Sequence, residues 1–154
     1  MTTISVGRKV RDFVIPSTSG NFRLSDQRGG KVVIYFYPRD NTPGCTLEGG
    51  DFRDLASAFR SANTQIFGIS TDTLESHHKF REKMRFPFAL GSDEGHAIAS
   101  RFGVWRQKNM YGRRMMGVER STFLIDAEGI LRREWRKVRV AGHAEQVLAA
   151  AREL

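Results

Sequence analysis

The hydrophobic and polar positions along the chain predict buried strands that alternate with amphipathic helices. Two continuous apolar runs, residues 31–38 (KVVIYFYP) and 64–71 (TQIFGIST), are rich in β-branched and aromatic side chains. Such runs are typical of strands that are buried on both faces of a sheet. Between them, apolar residues recur at helical spacing, at Leu47, Phe52, Leu55, Ala56 and Phe59. The first half of the chain therefore predicts a βαβ unit.

The remaining pattern predicts shorter elements, most of them after the βαβ unit. In chain order these are a hairpin over 12–26, a helix over 74–84, a short helix over 94–103, a hairpin over 120–135 and a final helix over 143–154. Pro87 excludes a continuation of the helix over 74–84, and Gly103 ends the short helix over 94–103.

This order of elements defines a fold class. A βαβ unit followed by a ββα unit matches the thioredoxin-like arrangement, an α/β fold whose central mixed β-sheet is flanked by helices. Here an N-terminal hairpin precedes it, and no repeat or linker interrupts residues 1–154. We therefore expect a single domain. The helix that starts at residues 42–46 would leave the carboxyl end of the first central strand, where open α/β sheets place their sites.

The composition indicates the class of protein and the compartment in which it works. Of 154 residues, 40% are hydrophobic and 27% are charged, and no apolar run reaches membrane-spanning length. Residues 1–13 show no apolar segment of a secretory signal. The single cysteine cannot form a disulfide within the chain, which fits a reducing compartment. These features predict a cytoplasmic protein with no membrane partner.

The net charge of +8 is concentrated in one region. Residues 101–139 hold 11 Lys and Arg against 4 Asp and Glu, whereas the other residues hold 14 against 13. Such a region can attract an acidic protein, nucleic acid or anionic lipid, or it can be a solvated face that keeps the protein soluble. Both interpretations stay open.

The single cysteine, Cys45, follows the first strand in the stretch YFYPRDNTPGCTLE (35–48). Thr42 is a plausible helix N-cap, and Pro43 suits the first helical position. Cys45 would then lie in the first turn, where free N–H groups and the helix dipole favour a thiolate. Gly44 would leave room for a small molecule beside the sulfur. From these local features alone, a reactive thiol and an inert buried cysteine are both consistent.

The same stretch resembles the active-site segment of peroxiredoxins, in which a proline, three residues, a threonine and two residues precede the peroxidatic cysteine. Pro38, Thr42 and Cys45 match this signature, and the flanking residues resemble the bacterioferritin-comigratory (Q-type) subfamily. The resemblance extends over nearly the whole chain. It includes GVERSTFLIDAEG (117–129), in which Arg120 stands where the family has an active-site arginine.

The resemblance implies a thiol-dependent peroxidase that uses no cofactor and reduces hydrogen peroxide and organic hydroperoxides. Cys45 would attack the peroxide and become a sulfenic acid, and Arg120 would stabilise the thiolate and polarise the peroxide. Thr42 and the Cys45 backbone N–H would hold the two oxygens in line, and Pro38 would shield the sulfur from water. Glu48 is either a surface residue or helps to fix the arginine.

One departure from the subfamily bears on turnover. Many Q-type members carry a resolving cysteine five residues after the peroxidatic one or in the next helix, and these places hold Gly50 and Arg81 here. The resemblance then implies a one-cysteine enzyme that is resolved by an external thiol: thioredoxin, glutaredoxin or a small thiol. We expect a monomer or a weak dimer.

Three other functions compete with this one. A redox-inactive thioredoxin-like module could bind nucleic acid through region 101–139, but it is supported by charge alone, so we expect at most weak, non-specific binding. A thiol–disulfide oxidoreductase would need C-x-x-C, whereas Thr42 occupies the place of its first cysteine. His77 and His78 suggest a metal site, but adjacent residues on a helix point in different directions, so we expect no metal.

Overall fold

The chain folds around a seven-stranded mixed sheet that has helices on both faces. The computed structural model describes residues 4–154, and for Met110 it describes only the backbone. Residues 1–3 lie outside the described residues. They belong to the predicted domain and to the segment in which we found no signal sequence. The strands are β1 (Val14–Ser17), β2 (Gly20–Arg23), β3 (Lys31–Phe36), β4 (Thr64–Ser70), β5 (Ala89–Ser92), β6 (Trp105–Met110), β7 (Arg113–Val118), β8 (Ser121–Ile125) and β9 (Leu131–Trp135). The helices are α1 (Pro43–Asp54), α2 (Ala56–Ser61), α3 (Leu74–Met84), α4 (Ala97–Arg101) and α5 (His143–Arg152), with a 3-10 helix over Leu24–Gln27.

Strand β3 lies near the middle of the sheet, whose order is β2-β1-β5-β4-β3-β8-β9. It pairs in parallel with β4 and antiparallel with β8, so that Phe36 lies opposite both Ile69 and Ser121. The end of β3 and the start of β8 therefore meet at one edge of the sheet. This pairing brings residues near 37–45 close to residues near 120, although about half of the chain separates them.

The core forms two layers because the side chains of β3 alternate between the two faces of the sheet. All six of its residues are buried. Val33 and Tyr35 pack in the layer under α1, α2, α3 and α5, whereas Ile34 and Phe36 pack in the layer that includes α4. Cys45 belongs to the first layer.

The structure confirms the predicted α/β arrangement, with differences in four elements. The helix expected after Cys45 is broken at Leu55, whose backbone (φ −100°, ψ 3°) ends α1 and starts α2. Strand β5 and the ribbon β6–β7 were not predicted. Strand β5 has only four residues, and the apolar residues of β6–β7 form no long run and do not alternate regularly with polar ones, so neither shows the apolar pattern that identifies strands. None of the helices over residues 4–154 has both the length and the apolar composition required to cross a bilayer.

Candidate active site

Cys45 lies in the first turn of α1, as the sequence predicts. Thr42 is the N-cap residue in an extended conformation, and Pro43 occupies the first position of the helix. The first helical hydrogen bond runs from Thr46 N to Thr42 O (2.9 Å), so the amides of Gly44 and Cys45 precede it and have no acceptor within the helix. The thiol is only 2% exposed. These two amides and the helix dipole favour negative charge at the sulfur.

Arg120 reaches this sulfur from the segment between β7 and β8. Its Nη2 lies 3.4 Å from Cys45 Sγ, a hydrogen-bonding distance for sulfur. The guanidinium therefore places a positive charge beside the sulfur. The structure thus brings together Cys45 and Arg120, which are 75 positions apart in the chain.

Gly44 provides the space that Arg120 occupies. A Cβ atom at this position would lie 3.0 Å from Arg120 Nη2, closer than ordinary van der Waals contact. The sequence suggested that Gly44 leaves room for a small molecule. The structure shows that it leaves room for the guanidinium group.

Glu48 fixes the other side of the guanidinium. Arg120 Nη1 donates to Glu48 Oε1 at 2.6 Å, and the carboxylate is 1% exposed. Burial raises the pKa of Glu48 from 4.5 to about 7, although the charge and hydrogen bond of Arg120 oppose this change. Burial lowers the pKa of Arg120, but the charges of Glu48 and Cys45 outweigh it, so its pKa is raised. Of the two possibilities left open for Glu48, the structure confirms contact with the arginine.

Tyr35 forms the wall of this cluster on the β3 side. Its ring stacks on Phe52 and Tyr37 at centroid distances of 4.7 and 5.5 Å, and its hydroxyl is buried without a hydrogen-bond partner. Burial raises the Tyr35 pKa well above 10, and the negative charges of Glu48 and Cys45 add to this effect. The same low polarity strengthens the electrostatic interactions of Arg120 with its neighbours.

Thr42 and Pro38 lie in the loop that joins β3 to α1. The Thr42 hydroxyl donates to Arg39 O at 2.8 Å and makes no capping bond to the helix. Because its proton is committed to that carbonyl, its lone pairs remain available to accept a hydrogen bond. Pro38 is half-buried and follows the buried Tyr37.

A second buried polar cluster holds this loop. Asp40 accepts hydrogen bonds from Tyr37 Oη (2.7 Å) and Ser76 Oγ (2.8 Å), and its Oδ2 lies 2.7 Å from His77 Nδ1. His77 Nε2 lies 2.9 Å from the carbonyl oxygen of Gly91, which can only accept. Both ring nitrogens of His77 therefore face acceptors, and the ring ties the loop to α3 and β5.

The surroundings of His77 were missed in the sequence, because its partners come from distant segments. Asp40, Asp72 and His77 each offer an atom within 4.8 Å of the others, a grouping that resembles a metal site. Yet Asp72 Oδ2 already accepts from Asp40 N and Ser70 Oγ, and Asp40 holds the bonds described above. These side chains already have hydrogen-bond partners within the protein, so their grouping gives no support for a metal site.

Comparisons with known proteins agree with this geometry. Residues 6–134 match the AhpC/TSA family. The chain is 45% identical over 153 residues to a peroxiredoxin Bcp of Bacillus subtilis, covering 99% of this chain and 98% of that one. It is 51% identical over 127 residues to a peroxiredoxin Bcp of Xanthomonas campestris, covering 82% and 79% of the two chains.

Solved structures give the same result. A PrxQ structure from Xylella fastidiosa superposes with a TM-score of 0.93 at 35% identity, covering 99% of this chain and 98% of that one. A bacterioferritin comigratory protein from Xanthomonas campestris, described in terms of its alkyl peroxide reduction activity, superposes with a TM-score of 0.87 at 45% identity and covers 92% and 90% of the two chains.

A thioredoxin-like fold with a buried cysteine beside an arginine defines a thiol-dependent peroxidase of the peroxiredoxin class. The chain belongs to the AhpC/TSA family, and its relatives are the Bcp and PrxQ peroxiredoxins. This membership sets aside the redox-inactive module and the dithiol oxidoreductase. The family carries the peroxidatic cysteine, and this chain has one cysteine.

Proposed function

We propose that Cys45 is the peroxidatic residue of a one-cysteine cycle and that Arg120 is its charge partner. The observation that carries this proposal is the 3.4 Å contact between Arg120 Nη2 and Cys45 Sγ at the first turn of α1. The Cys45 thiolate attacks the terminal oxygen of a hydroperoxide. The S–O bond forms as the O–O bond breaks, leaving Cys45 sulfenic acid and an alkoxide or hydroxide that takes up a proton.

Thr42 and the Cys45 backbone N–H orient the peroxide in this proposal. The Thr42 hydroxyl, having donated to Arg39 O, accepts a hydrogen bond from the peroxide O–H. The amide of Cys45, which lies ahead of the first helical bond, donates to a peroxide oxygen. Donors that are fixed before the reaction stabilise the charge that develops on the leaving oxygen. Pro38, half-buried in the same loop, limits access of water to the sulfur.

The sulfenic acid is then reduced by an external thiol. Gly50 and Arg81 occupy the positions where the subfamily resemblance places a resolving cysteine, and the chain holds no second cysteine. A thiol RSH condenses with Cys45 sulfenic acid to give a mixed disulfide and water, and a second thiol releases Cys45 as RSSR forms. The reductant is thioredoxin, glutaredoxin or a small thiol. The substrates are hydrogen peroxide and organic hydroperoxides, an assignment supported by the alkyl peroxide activity of the Xanthomonas relative.

We further propose that residues 1–154 act as one domain in the cytoplasm, as a monomer or weak dimer without a cofactor. Support for one domain comes from the seven-stranded sheet, which joins β1 to β5 from the first part of the chain with β8 and β9 from the last part. A lone free cysteine suits a reducing compartment.

Single-turnover oxidation tests the site. Stopped-flow mixing of reduced protein with hydrogen peroxide should show a fast reaction in the wild type and none in Cys45→Ser. Thr42→Val should slow oxidation by about 10- to 100-fold because it removes a positioned hydrogen bond, whereas Thr42→Ser should stay within a few-fold of the wild type. Oxidation of Cys45→Ser at the wild-type rate would refute the role of Cys45. Equal losses in both Thr42 variants would refute the role of its hydroxyl.

A further inference from the structure

The ribbon β6–β7 stands apart from the main sheet. Its two strands pair with each other from Trp105–Val118 to Met110–Arg113, and within residues 4–154 they form a separate two-stranded sheet. The base is anchored by Val118, which is buried in the core. The far end is exposed, with Tyr111 99% accessible. This ribbon contains a dense part of the basic region noted in the sequence.

The pairing register sorts the side chains of the ribbon into two faces. Residues directly opposite each other point to the same side, and successive residues alternate. Arg106 is opposite Gly117, Lys108 is opposite Met115, and Arg113 is opposite Met110. One face therefore presents three cations together with Met115, which is 52% exposed. We call this set, Arg106, Lys108, Arg113 and Met115, the basic face.

Lys108 links the basic face to the neighbourhood of Arg120 and Cys45. Strand β7 ends at Val118, two residues before Arg120, and Lys108 Nζ donates to the carbonyl oxygen of Val118. Burial lowers the pKa of Lys108, the charge of Arg120 lowers it further, and the charge of Cys45 opposes this change. Lys108 thus lies within electrostatic range of both groups.

The cations of the basic face are not neutralised within the ribbon. Residues 105–118 contain four Lys and Arg, which include Arg114 on the other face, and no Asp or Glu. Among the ion pairs within 4.0 Å found over residues 4–154, none involves Arg106, Lys108 or Arg113. A surface of one sign beside a reactive centre steers partners of the opposite sign toward that centre.

We propose that the basic face is the docking surface for an acidic protein thiol that reduces the Cys45 sulfenic acid. This inference rests on the proposed one-cysteine cycle. Arg106 and Arg113 lie four residues apart along the ribbon, about 13 Å, which exceeds the span of a small thiol with one carboxylate. Exposed Met115 and Tyr111 add the apolar and aromatic contacts that are typical of protein interfaces.

The chemical step at this surface is the condensation described above. The thiol of the docked protein attacks the sulfur of Cys45 sulfenic acid, a mixed disulfide forms, and the hydroxyl leaves as water. Its second thiol then displaces Cys45 and becomes a disulfide. The electrons come from the acidic dithiol protein.

Charge reversal separates docking from chemistry. The variant is Arg106→Glu with Arg113→Glu, and the matched control is Arg8→Glu with Arg11→Glu. Both control residues are exposed, and the neighbouring Val10 bonds to Gly129 O, at the end of the sheet opposite Cys45. Each protein is first oxidised with one equivalent of hydrogen peroxide, and its Cys45 sulfenic acid is then reduced by an acidic thioredoxin or by uncharged dithiothreitol.

We expect the ribbon variant to react about 10- to 100-fold more slowly than the wild type with acidic thioredoxin at about 0.02 M ionic strength, and most of this difference should vanish at about 0.3 M. Its reduction by dithiothreitol and its oxidation by peroxide should stay within about twofold of the wild type, as should every rate of the control. A failure to form the sulfenic acid in the wild type would refute the proposed function itself, before docking is measured.

Four results would overturn the docking proposal. These are an unchanged rate with thioredoxin, an equal loss with dithiothreitol, an equal loss in the control, and a wild-type rate with thioredoxin that does not fall with salt. Tight binding of a labelled DNA duplex at physiological salt that is lost in the ribbon variant would assign the basic face to nucleic acid instead.

Discussion

Two buried polar clusters lie beyond the end of β3, and they differ in how completely their atoms are hydrogen-bonded. Among the described residues, every buried polar side-chain atom of the cluster around Asp40 and His77 has a hydrogen-bond partner. In the cluster around Cys45, Arg120 and Glu48, two nearby oxygens, Glu48 Oε2 and Tyr35 Oη, have none. We call the first cluster closed, because all its buried polar atoms are hydrogen-bonded, and the second cluster open.

This difference indicates a division of labour. A closed network fixes the backbone around it, here the loop that carries Pro38 and Thr42. In an open network, each buried oxygen without a partner costs about 1–3 kcal/mol of stability. A change that gives such an oxygen a hydrogen bond is therefore favourable. Buried oxygens without partners occur in the cluster around the sulfur and not in the cluster that holds the loop.

Arg120→Met should have the largest effect on activity. It removes the cation that contacts the sulfur, so we expect the rate constant for oxidation of Cys45 by hydrogen peroxide to fall by about 100- to 1,000-fold. Arg120→Lys keeps a charge but cannot contact Glu48 and the sulfur with two nitrogens, and its loss should be intermediate. Stopped-flow oxidation measures both variants.

Loss of Arg120 also leaves Glu48 buried without its partner, so a control is needed for folding. The double variant Arg120→Met with Glu48→Gln removes both charges, and its circular dichroism and denaturation midpoint show whether the fold is kept. If the double variant folds like the wild type and oxidises at the wild-type rate, Arg120 has no catalytic role.

Asp40→Asn should have a smaller effect on activity and a large one on stability. It breaks the closed cluster and leaves the His77 ring opposite an amide, so we expect a loss of about 3–5 kcal/mol in the free energy of unfolding. Oxidation should slow by only about tenfold, because the sulfur and Arg120 remain in place while the Thr42 loop loosens. Urea denaturation and stopped-flow oxidation of the same samples provide the two values. A stable variant that has lost activity as completely as Arg120→Met would contradict the division between the clusters.

Glu48→Gln should have the smallest effect, visible in the pH dependence of stability. Burial raises the pKa of Glu48 from 4.5 to about 7, so the folded state binds its proton more tightly than the unfolded state. Its contribution to stability is present below pH 4.5 and is lost as the pH rises to about 7. The stability of Glu48→Gln relative to the wild type should therefore increase across this range, by up to about 3 kcal/mol.

His143 provides the control of opposite sign. Burial, with the charge of Arg120, lowers its pKa from 6.5 to about 4, so the wild type gains stability from His143 as the pH rises between these values. The stability of His143→Gln relative to the wild type should decrease over that range. Urea denaturation at a series of pH values measures both differences. A difference for Glu48→Gln that stays constant with pH would mean that Glu48 is ionised alike in the folded and unfolded states.

Local signals in the sequence predict one half of the candidate site but not the other. Thr42, Pro43 and Cys45 stand within one turn, so their order along the chain predicts the helix start and the place of the thiol. Arg120 was predicted only by family resemblance, because its contact depends on the pairing of β3 with β8.

Features that depend on burial could not be predicted from pattern. The pKa of Glu48 follows from its 1% exposure, and the partners of His77 come from segments that are far apart in the chain. The ribbon β6–β7 was missed because its apolar residues form no long run and do not alternate regularly with polar ones. Its charge was visible in the composition, but its position beside the sulfur was not.

Intact-mass spectrometry tests the central claim most directly, that Cys45 alone reacts with peroxide and waits for an external thiol. With one equivalent of hydrogen peroxide, the wild type should gain one oxygen as a monomer and lose it when dithiothreitol is added, and excess peroxide should add a second and a third oxygen at Cys45. Cys45→Ser is the control for oxidation of exposed methionines such as Met115 and Met116. Equal oxygen gain in the wild type and Cys45→Ser, or a prompt and complete Cys45–Cys45 dimer, would contradict the account.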